Sequence, residues 1–211
     1  MISHALTIVI NELNAHLKKV YGDSHSSGSA QLGNPSDGFT SEKGGTSRDS
    51  LYFSIINIRE EKTLKNLPNY VRDDITQKVL YENPPVYLNF QILITAPLKN
   101  YGDGLILLSR AIRFFQYKNV FTHENIEPAS IIPASSHNDI DCLETFKLIL
   151  DLYSASMEEV NHMWGTLGGK QYPFVIYWMR MLDLKFKAVQ HQGDLITEVV
   201  TNFGQKSPTS A

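Results

Sequence analysis

The spacing of apolar residues predicts an amphipathic helix at the start of the chain. Its apolar stripe recurs at helical intervals and consists of Leu6, Val9, Ile10, Leu13, Leu17 and Val20. We expect Ser3 to be the N-cap and Gly22 the stop, since serine accepts bonds from the first free N–H groups and glycine adopts the backbone of a helix end. The polar face carries Asn11, Glu12, Lys18 and Lys19.

A different composition follows over residues 21–50, which are crowded with Gly, Ser, Asp and Asn and hold few large apolar residues. Such a segment buries too little apolar surface to offset the entropy of ordering the chain. The sequence therefore predicts a long flexible loop there.

Further strands and helices alternate along the rest of the chain. Strand composition, rich in β-branched and aromatic residues, predicts strands over 51–59, 86–96, 146–153 and 174–184, of which 86–96 reads as a central strand. Helical spacing predicts helices over 103–117 and over 157–167. A tight turn at Gly102–Asp103–Gly104 would begin the first of these helices, with Asp103 as its N-cap. That helix has two apolar stripes, which predict contact with the sheet or with a neighbouring subunit: Leu105, Leu108, Ile112 and Phe115 form one, and Leu107, Ala111 and Phe114 the other. Ser156 and Glu159 form a capping-box pattern at the start of the last helix, and Gly168–Gly169 ends it. Residues 64–83 stay between two interpretations, an irregular loop or the tip of a hairpin.

The end of the chain predicts a β-hairpin. Residues 182–189 alternate between apolar and polar, His191–Gln192–Gly193–Asp194 has the composition of a turn, and 195–201 would form the returning strand. The last residues, 205–211, predict a disordered tail. Together these elements predict one α+β domain over residues 1–204, a mixed, mostly antiparallel sheet packed by helices.

Composition and charge exclude several function classes. The 211 residues are 42% hydrophobic, enough for one core, and the formal net charge of −3 gives no basic excess for sequence-independent nucleic-acid binding. One cysteine, Cys142, cannot form an internal disulfide. The N-terminus lacks the cationic start of a signal peptide, and no apolar run is long enough to span a bilayer. We therefore expect a protein that is made in the cytoplasm and does not insert directly into a membrane.

Candidate chemistry is sparse in the sequence. Glu159 and His162 have the i, i+3 spacing of a metal pair, but such sites need a second pair and further carboxylates. The segment Gly165–Lys170 fails as a phosphate-binding loop because Gln171 replaces the required serine or threonine. We expect no catalytic residues, no metal and no cofactor, and hence no enzyme.

Several segments resemble a known family. The N-terminal helix, Asn-Ile-Arg-Glu-Glu-Lys-Thr at 57–63, Pro-Pro-Val-Tyr-Leu-Asn at 84–89 and Glu-Glu-Val-Asn-His-Met-Trp-Gly-Thr-Leu-Gly-Gly-Lys at 158–170 resemble the N-terminal domain of tail-terminator (cap) proteins. These proteins belong to phage-tail-like extracellular contractile injection systems. Residues 21–50 and 66–82 depart from the family pattern as insertions.

The resemblance implies a structural protein: a hexameric ring at the distal end of the tail that ends the polymerisation of inner tube and sheath. Its partners would be further copies of itself, the sheath protein and the tube protein, with no nucleic acid. The particle would be assembled in the cytoplasm and then be released or membrane-anchored. A baseplate or tube adaptor of the same particle is the alternative, and a small-molecule enzyme on an α+β scaffold comes third.

Two sets of residues are candidates for subunit contacts. Arg59, Glu60 and Glu61, with Lys62 after them, form a run of both charge signs that suits contacts in a ring, although a solvated strand end has the same composition. A second set would pair strands between subunits and consists of Leu195, Ile196, Val199 and Val200.

Overall fold

The computed structural model describes residues 1–22, 29–39, 47–63, 68, 70–73, 78–81, 83–132, 142–143, 145–184 and 191–194. The chain divides into two compact units. The first comprises Met1–Lys65 and Val86–Leu184, and the second Asn66–Pro85 and Lys185–Ala211. The single domain over residues 1–204 stays a prediction.

The described strands, in chain order, are β1 (Ala30–Leu32), β2 (Leu51–Glu60), β3 (Tyr70–Asp73), β4 (Lys78–Tyr81), β5 (Val86–Thr95), β6 (Val120–Thr122), β7 (Lys147–Tyr153), β8 (Phe174–Leu184) and β9 (His191–Asp194). In the first unit they form a six-stranded sheet in the order β1-β2-β5-β8-β7-β6. Among these strands β1 and β2 pair in parallel and the other neighbours are antiparallel. The prediction of a mixed, mostly antiparallel sheet is confirmed, and β5 is a central strand as predicted.

Helices cover both faces of this sheet. The main core lies on the face that packs against α1 (Ile2–Tyr21) and α2 (Tyr101–Tyr117), where Phe53, Phe90 and Phe115 are buried. On the opposite face, α3 (Met157–Thr166) packs through Trp164 against Leu93 and Ile176 in a smaller core. Successive residues of a strand alternate between faces, so each central strand contributes to both cores. The α+β fold class is confirmed.

The first helix begins earlier than predicted. Met1 is the N-cap and Ser3 lies within the first turn, so the prediction of Ser3 as cap is wrong. Ile2 packs against the main core, and this apolar contact favours a helix that begins before Ser3. Gly22 ends the helix as predicted, with φ of 75°, a left-handed value that glycine adopts at low cost.

The second helix also begins earlier than the pattern indicated. Asn100 is its N-cap, and the Asn100 side chain accepts a bond from the Gly102 backbone N–H at 3.0 Å. The prediction of a tight turn at residues 102–104 with Asp103 as the N-cap is therefore wrong, since these residues lie in the first turn of the helix. Gly104 allows a close approach here, because a Cβ at this position would lie 3.1 Å from the Ala96 carbonyl oxygen and would require a small shift. At α3 the capping box of Ser156 and Glu159 is confirmed.

Part of the predicted loop over residues 21–50 has regular structure. It contains β1, a 3₁₀ turn at Pro35–Asp37 and the buried Phe39, whose ring contacts the rings of Tyr52 and Tyr172 with centroids 5.2 and 5.0 Å apart. The buried Phe39 ring and the backbone pairing of β1 with β2 order this stretch. Average composition indicates neither of these interactions. Residues 23–28 and 40–46 lie outside the described part.

In the second unit, three strands pair antiparallel in the order β3-β4-β9. Of the two interpretations of residues 64–83, the hairpin is therefore correct. The turn predicted at His191–Asp194 is wrong, because these residues form β9. Their strand depends on backbone pairing with β4, which side-chain composition does not signal. The returning strand predicted over 195–201 lies outside the described residues.

Trp164 offers a test of how α3 is anchored. Its side chain is 4% exposed, and its indole N–H finds no hydrogen-bond partner among the described residues. Because phenylalanine removes this unsatisfied donor and keeps an aromatic ring, we expect Trp164→Phe to cost less than about 1.5 kcal/mol of unfolding free energy. Trp164→Ala leaves a cavity and should cost about 3–5 kcal/mol. Urea unfolding of both variants measures this, and equal losses would contradict it.

Candidate interaction surface

The predicted contact residues of the first set lie together at the end of β2. Arg59 and Glu60 are exposed and Glu61 is partly exposed. The Glu61 backbone N–H donates to the Tyr87 carbonyl at 2.8 Å, which extends the pairing of β2 with β5 by one residue. The second set, Leu195, Ile196, Val199 and Val200, lies outside the described residues, so its role in pairing stays a prediction.

Arg59 does not extend freely into solvent. Its guanidinium carbon lies 5.5 Å from the centroid of the Trp178 ring, within cation–π range. The Trp178 ring in turn meets the Tyr153 ring edge-on, with centroids 6.0 Å apart. Both rings are partly exposed and lie on the sheet face that carries α3. The stack orients the Arg59 side chain, which lowers the entropy that a contact through it would cost.

Glu61 is fixed on the same side. Its carboxylate accepts bonds from the Asn89 amide at 2.9 Å and from the Thr63 backbone N–H at 3.1 Å. The Thr63 hydroxyl, Thr63 N–H and Asn89 bonds lower the pKa of Glu61 below its usual value. The charge of Arg180 lowers the pKa of Glu61 further, so a negative and a positive side chain lie close together near this strand end.

Two further charges complete the surface. Arg180 Nε lies 3.1 Å from Asp151 Oδ2, with both side chains about half exposed. In register, Asp151 is opposite Trp178, so the pair flanks the aromatic rings. We name Arg59, Glu61, Asp151, Tyr153, Trp178 and Arg180 the charged–aromatic surface. Arginine and aromatic residues with neighbouring opposite charges are typical of protein–protein contacts.

The surface reaches the start of α3 through Tyr153. The Tyr153 hydroxyl donates to Glu159 at 2.8 Å, and this bond raises the pKa of Tyr153. The Ser156 backbone N–H and then the Tyr153 hydroxyl lower the pKa of Glu159. Glu159 is therefore engaged as a helix cap. A cleft of about 520 Å³ lies beside it, lined among others by Asn57, Gln91 and His162.

Nothing in the described part of the chain assembles Glu159 and His162 into a metal centre. His162 instead lies 3.8 Å from Glu158, with both side chains more than four-fifths exposed. Within the described residues no group of three His, Cys, Asp or Glu side chains could hold a metal ion. Among the same residues no helix has both the length and the apolar character needed to cross a bilayer.

A second exposed region lies on α2. Leu107, Ala111 and Phe114 of one predicted stripe are buried, and of the other stripe Leu108 and Phe115 are buried. Exposure instead falls on Tyr101, Leu105, Ile106 and Tyr117, at 67%, 42%, 49% and 79%. The predicted contact with the sheet is found on the buried side of α2, where α1 also packs and the His16 ring lies 4.9 Å from the Phe114 ring.

The sequence alone does not identify Trp178 as a surface residue, because the aromatic residues of this strand suit core packing equally well. Tyr177 and Met179 are indeed buried in the main core. Trp178 and Arg180 alternate with them and face the other way. The alternation of residues along β8 predicts that Trp178 and Arg180 lie on the face opposite Tyr177 and Met179. How much of that face α3 covers depends on the tertiary structure and cannot be predicted from the alternation.

Comparison with known proteins places the chain in a family. No curated protein matches the sequence. In solved structures, the fold is similar to the sheath/tube terminator of the extracellular contractile injection system PVC in its extended state, with a TM-score of 0.62, 14% identity and coverage of 100% of this chain and 65% of that one. It is also similar to the tube-terminating cap of the anti-feeding prophage, with a TM-score of 0.52, 13% identity and coverage of 92% and 60%. This chain therefore spans less than two thirds of either protein's length.

The family described as Pvc16 N-terminal domain matches residues 4–198. This match takes in most of the first helix, all six strands of the main sheet, α3 and the charged–aromatic surface. The resemblance found in the sequence at residues 57–63, 84–89 and 158–170 lies within it. The chain belongs to the Pvc16 N-terminal domain family.

Proposed function

We propose that this protein is a structural cap that ends the polymerisation of tube and sheath at the distal end of a contractile injection system. The observation that carries the proposal is the family match over residues 4–198, together with a fold that aligns over its whole length with a sheath/tube terminator. The proposal includes no catalytic step. It assigns the protein to a particle whose other components are the tube and sheath proteins.

The proposed unit of function is a ring of identical subunits, six by the family resemblance. A closed ring satisfies lateral contacts among its own members, so it can seat on the end of a tube without offering those contacts onward. We assign the contacts between copies to the charged–aromatic surface and to the exposed apolar residues of α2. Alternating charges favour one register of neighbours, and apolar area supplies most of the binding energy.

Assembly with purified tube tests the proposal. Light scattering should give a ring mass, and negative-stain images should show one ring at one end of each tube. Addition of the protein during tube assembly should also shorten the tubes, since capped ends no longer grow. A protein that stays monomeric at high concentration and leaves tube length unchanged would contradict the proposal. Binding at the baseplate end would favour the adaptor role instead.

Arg59 provides the sharpest test of the contact surface. Because arginine held against an aromatic ring is a common hot-spot residue, we expect Arg59→Ala to weaken ring association by about tenfold, or roughly 1.4 kcal/mol. Lys19→Ala is the control, since Lys19 is an exposed cation of α1, which packs on the opposite face of the sheet. Sedimentation velocity of both variants across a concentration series measures the effect. Equal association of the two variants would remove Arg59 from the interface.

A further inference from the structure

The outer strands of the six-stranded sheet are β1 on one side and β6 on the other. An edge strand ordinarily presents unpaired backbone N–H and C=O groups, and these groups can accept a strand from another chain. Each edge here has three residues, short enough that one side chain can reach the outward groups.

At β6 a single asparagine binds outward backbone groups. The Leu150 N–H donates to the Asn119 carbonyl, and Phe121 pairs with Leu148, so Val120 and Thr122 direct their backbone groups away from β7. The Asn125 side-chain oxygen accepts from the Thr122 N–H at 2.9 Å, and its amide nitrogen donates to the Val120 carbonyl at 2.9 Å. The amide thus makes the two bonds that a neighbouring strand would make.

At β1 a second asparagine does the same. The Leu51 N–H donates to the Ser29 carbonyl and the Gly33 N–H donates to the Phe53 carbonyl, so Ser29 and Gly33 bond toward β2. Because the bonding direction alternates along a strand, Ala30 directs its backbone groups away from β2. The Asn14 side chain accepts from the Ala30 N–H at 2.7 Å and donates to the Ala30 carbonyl at 2.9 Å. At each edge, therefore, the side-chain amide of an asparagine binds one outward N–H and one outward carbonyl.

Both asparagines are held in place through α1. Asn14 belongs to that helix. Asn125 is fixed by its own backbone, since its N–H donates to the Thr122 carbonyl at 3.1 Å and its carbonyl accepts from Lys118 Nζ at 2.7 Å. Lys118 also binds Glu12 of α1 at 2.6 Å. A capping amide on a fixed support competes better with an incoming strand than a freely rotating one.

We infer that Asn14 and Asn125 are edge caps that prevent an extended strand, above all one from a second copy of this chain, from adding to either end of the six-stranded sheet. The inference adds to the proposed function, because a terminator must not offer its own sheet for continued growth. It also separates two kinds of contact. Subunits can meet through side chains of the charged–aromatic surface, whereas any strand exchange must use strands outside this sheet.

The test opens both edges with Asn14→Ala and Asn125→Ala together. The control is the pair Asn34→Ala and Asn100→Ala, since these asparagines also accept backbone bonds, from Ser36 and Gly102, but at helix starts. Sedimentation velocity measures the fraction of protein in assemblies larger than those of the wild type. We expect this fraction to be on the order of tenfold higher in the edge variant, because main-chain pairing becomes available. The control should keep the wild-type distribution. A folded edge variant with the wild-type distribution would overturn the inference.

Hydrogen exchange of the single variants keeps the inference testable if the double variant unfolds. In the wild type the amides of Ala30 and Thr122 should exchange slowly. Asn14→Ala should accelerate Ala30 alone and Asn125→Ala should accelerate Thr122 alone, each by roughly five- to tenfold, as expected for the loss of one hydrogen bond. If both amides of the wild type exchanged as fast as in an unfolded chain, Asn14 and Asn125 would not be edge caps. These results do not depend on ring formation or on tube binding, so failure of the cap function and failure of the edge caps can be told apart.

Discussion

Phe115→Ala is expected to lower the free energy of unfolding by about 3–5 kcal/mol, as truncation of a buried phenylalanine does when its surroundings relax incompletely. Phe115 is 2% exposed. Its ring lies 5.0 Å from Tyr177, 5.2 Å from Phe114, 6.3 Å from Phe53 and 6.4 Å from Phe121, centroid to centroid. It therefore joins α2 to strands β2, β6 and β8, and its loss affects every layer of the main core.

Urea unfolding followed by circular dichroism measures this effect. Gln116→Ala is the control, since Gln116 lies in the last turn of the same helix and its polar side chain is exposed. A surface substitution of this kind should change the free energy of unfolding by less than about 0.5 kcal/mol. Similar losses in the two variants would mean that the aromatic cluster does not hold α2 to the sheet. Phe115→Leu should fall between them, because leucine fills part of the cavity.

The sequence correctly predicted the elements that are held in the fold by the burial of their own apolar residues. The stripe of α1 and the apolar run of β5 fix both the type of element and its buried face, since packing rewards the pattern directly. The capping box of Ser156 and Glu159 is equally local, because its partners lie three residues apart. In such cases short-range chemistry and long-range packing favour the same structure.

The sequence failed where an element depends on a distant backbone. The strand at His191–Asp194 exists through pairing with β4, and β1 exists through pairing with β2, although both segments have loop-like composition. For the same reason the roles of Asn14 and Asn125 could not be predicted from the sequence. An asparagine that caps a sheet edge has the same local sequence as one in contact with solvent, and only the fold brings the edge to it.

The candidate surface could be predicted in part for the same reason. The charge run at Arg59–Glu61 marks a strand end that leaves the core, and this is visible locally. The stacking of Arg59 on Trp178 joins residues far apart in sequence and depends on the registers of β2, β5 and β8. A charge pattern therefore locates such a surface, while its aromatic partners follow from topology.

The polar side of α1 shows most clearly how fold changes the meaning of a pattern. Helical spacing assigned Asn11 and Glu12 to a polar face, as on any amphipathic helix. In the structure Asn11 donates to the Ser130 carbonyl at 3.1 Å and Glu12 is 7% exposed. The buried His4 accepts from the Leu143 N–H at 2.9 Å. These polar side chains bind backbone groups of later segments, so they hold distant parts of the first unit to α1.

Glu12→Gln is accordingly expected to lower the free energy of unfolding by about 2–4 kcal/mol at neutral pH, because it leaves a buried donor facing an amide N–H₂ group. Glu12 accepts from Lys118 Nζ at 2.6 Å with one oxygen and from the Glu127 backbone N–H at 2.8 Å with the other. Glutamine has a single carbonyl oxygen and can satisfy one of these donors. Glu158→Gln on the exposed side of α3 is the control, with an expected change below about 0.5 kcal/mol.

The dependence on pH identifies the charge of Glu12 as the cause. Burial alone would raise the pKa of Glu12, but the bonds from Lys118 and the Glu127 backbone outweigh it, so the pKa lies below its usual value of 4.5. A carboxyl group with a lowered pKa stabilises the fold above the pKa of the unfolded chain, and this contribution disappears as pH falls through the folded value. Urea unfolding at pH 7 should therefore separate the wild type from Glu12→Gln by the full amount, and the difference should shrink in the range below 4.5. A difference that stays constant down to pH values where the wild type begins to unfold would assign the loss to packing and not to the ion pair.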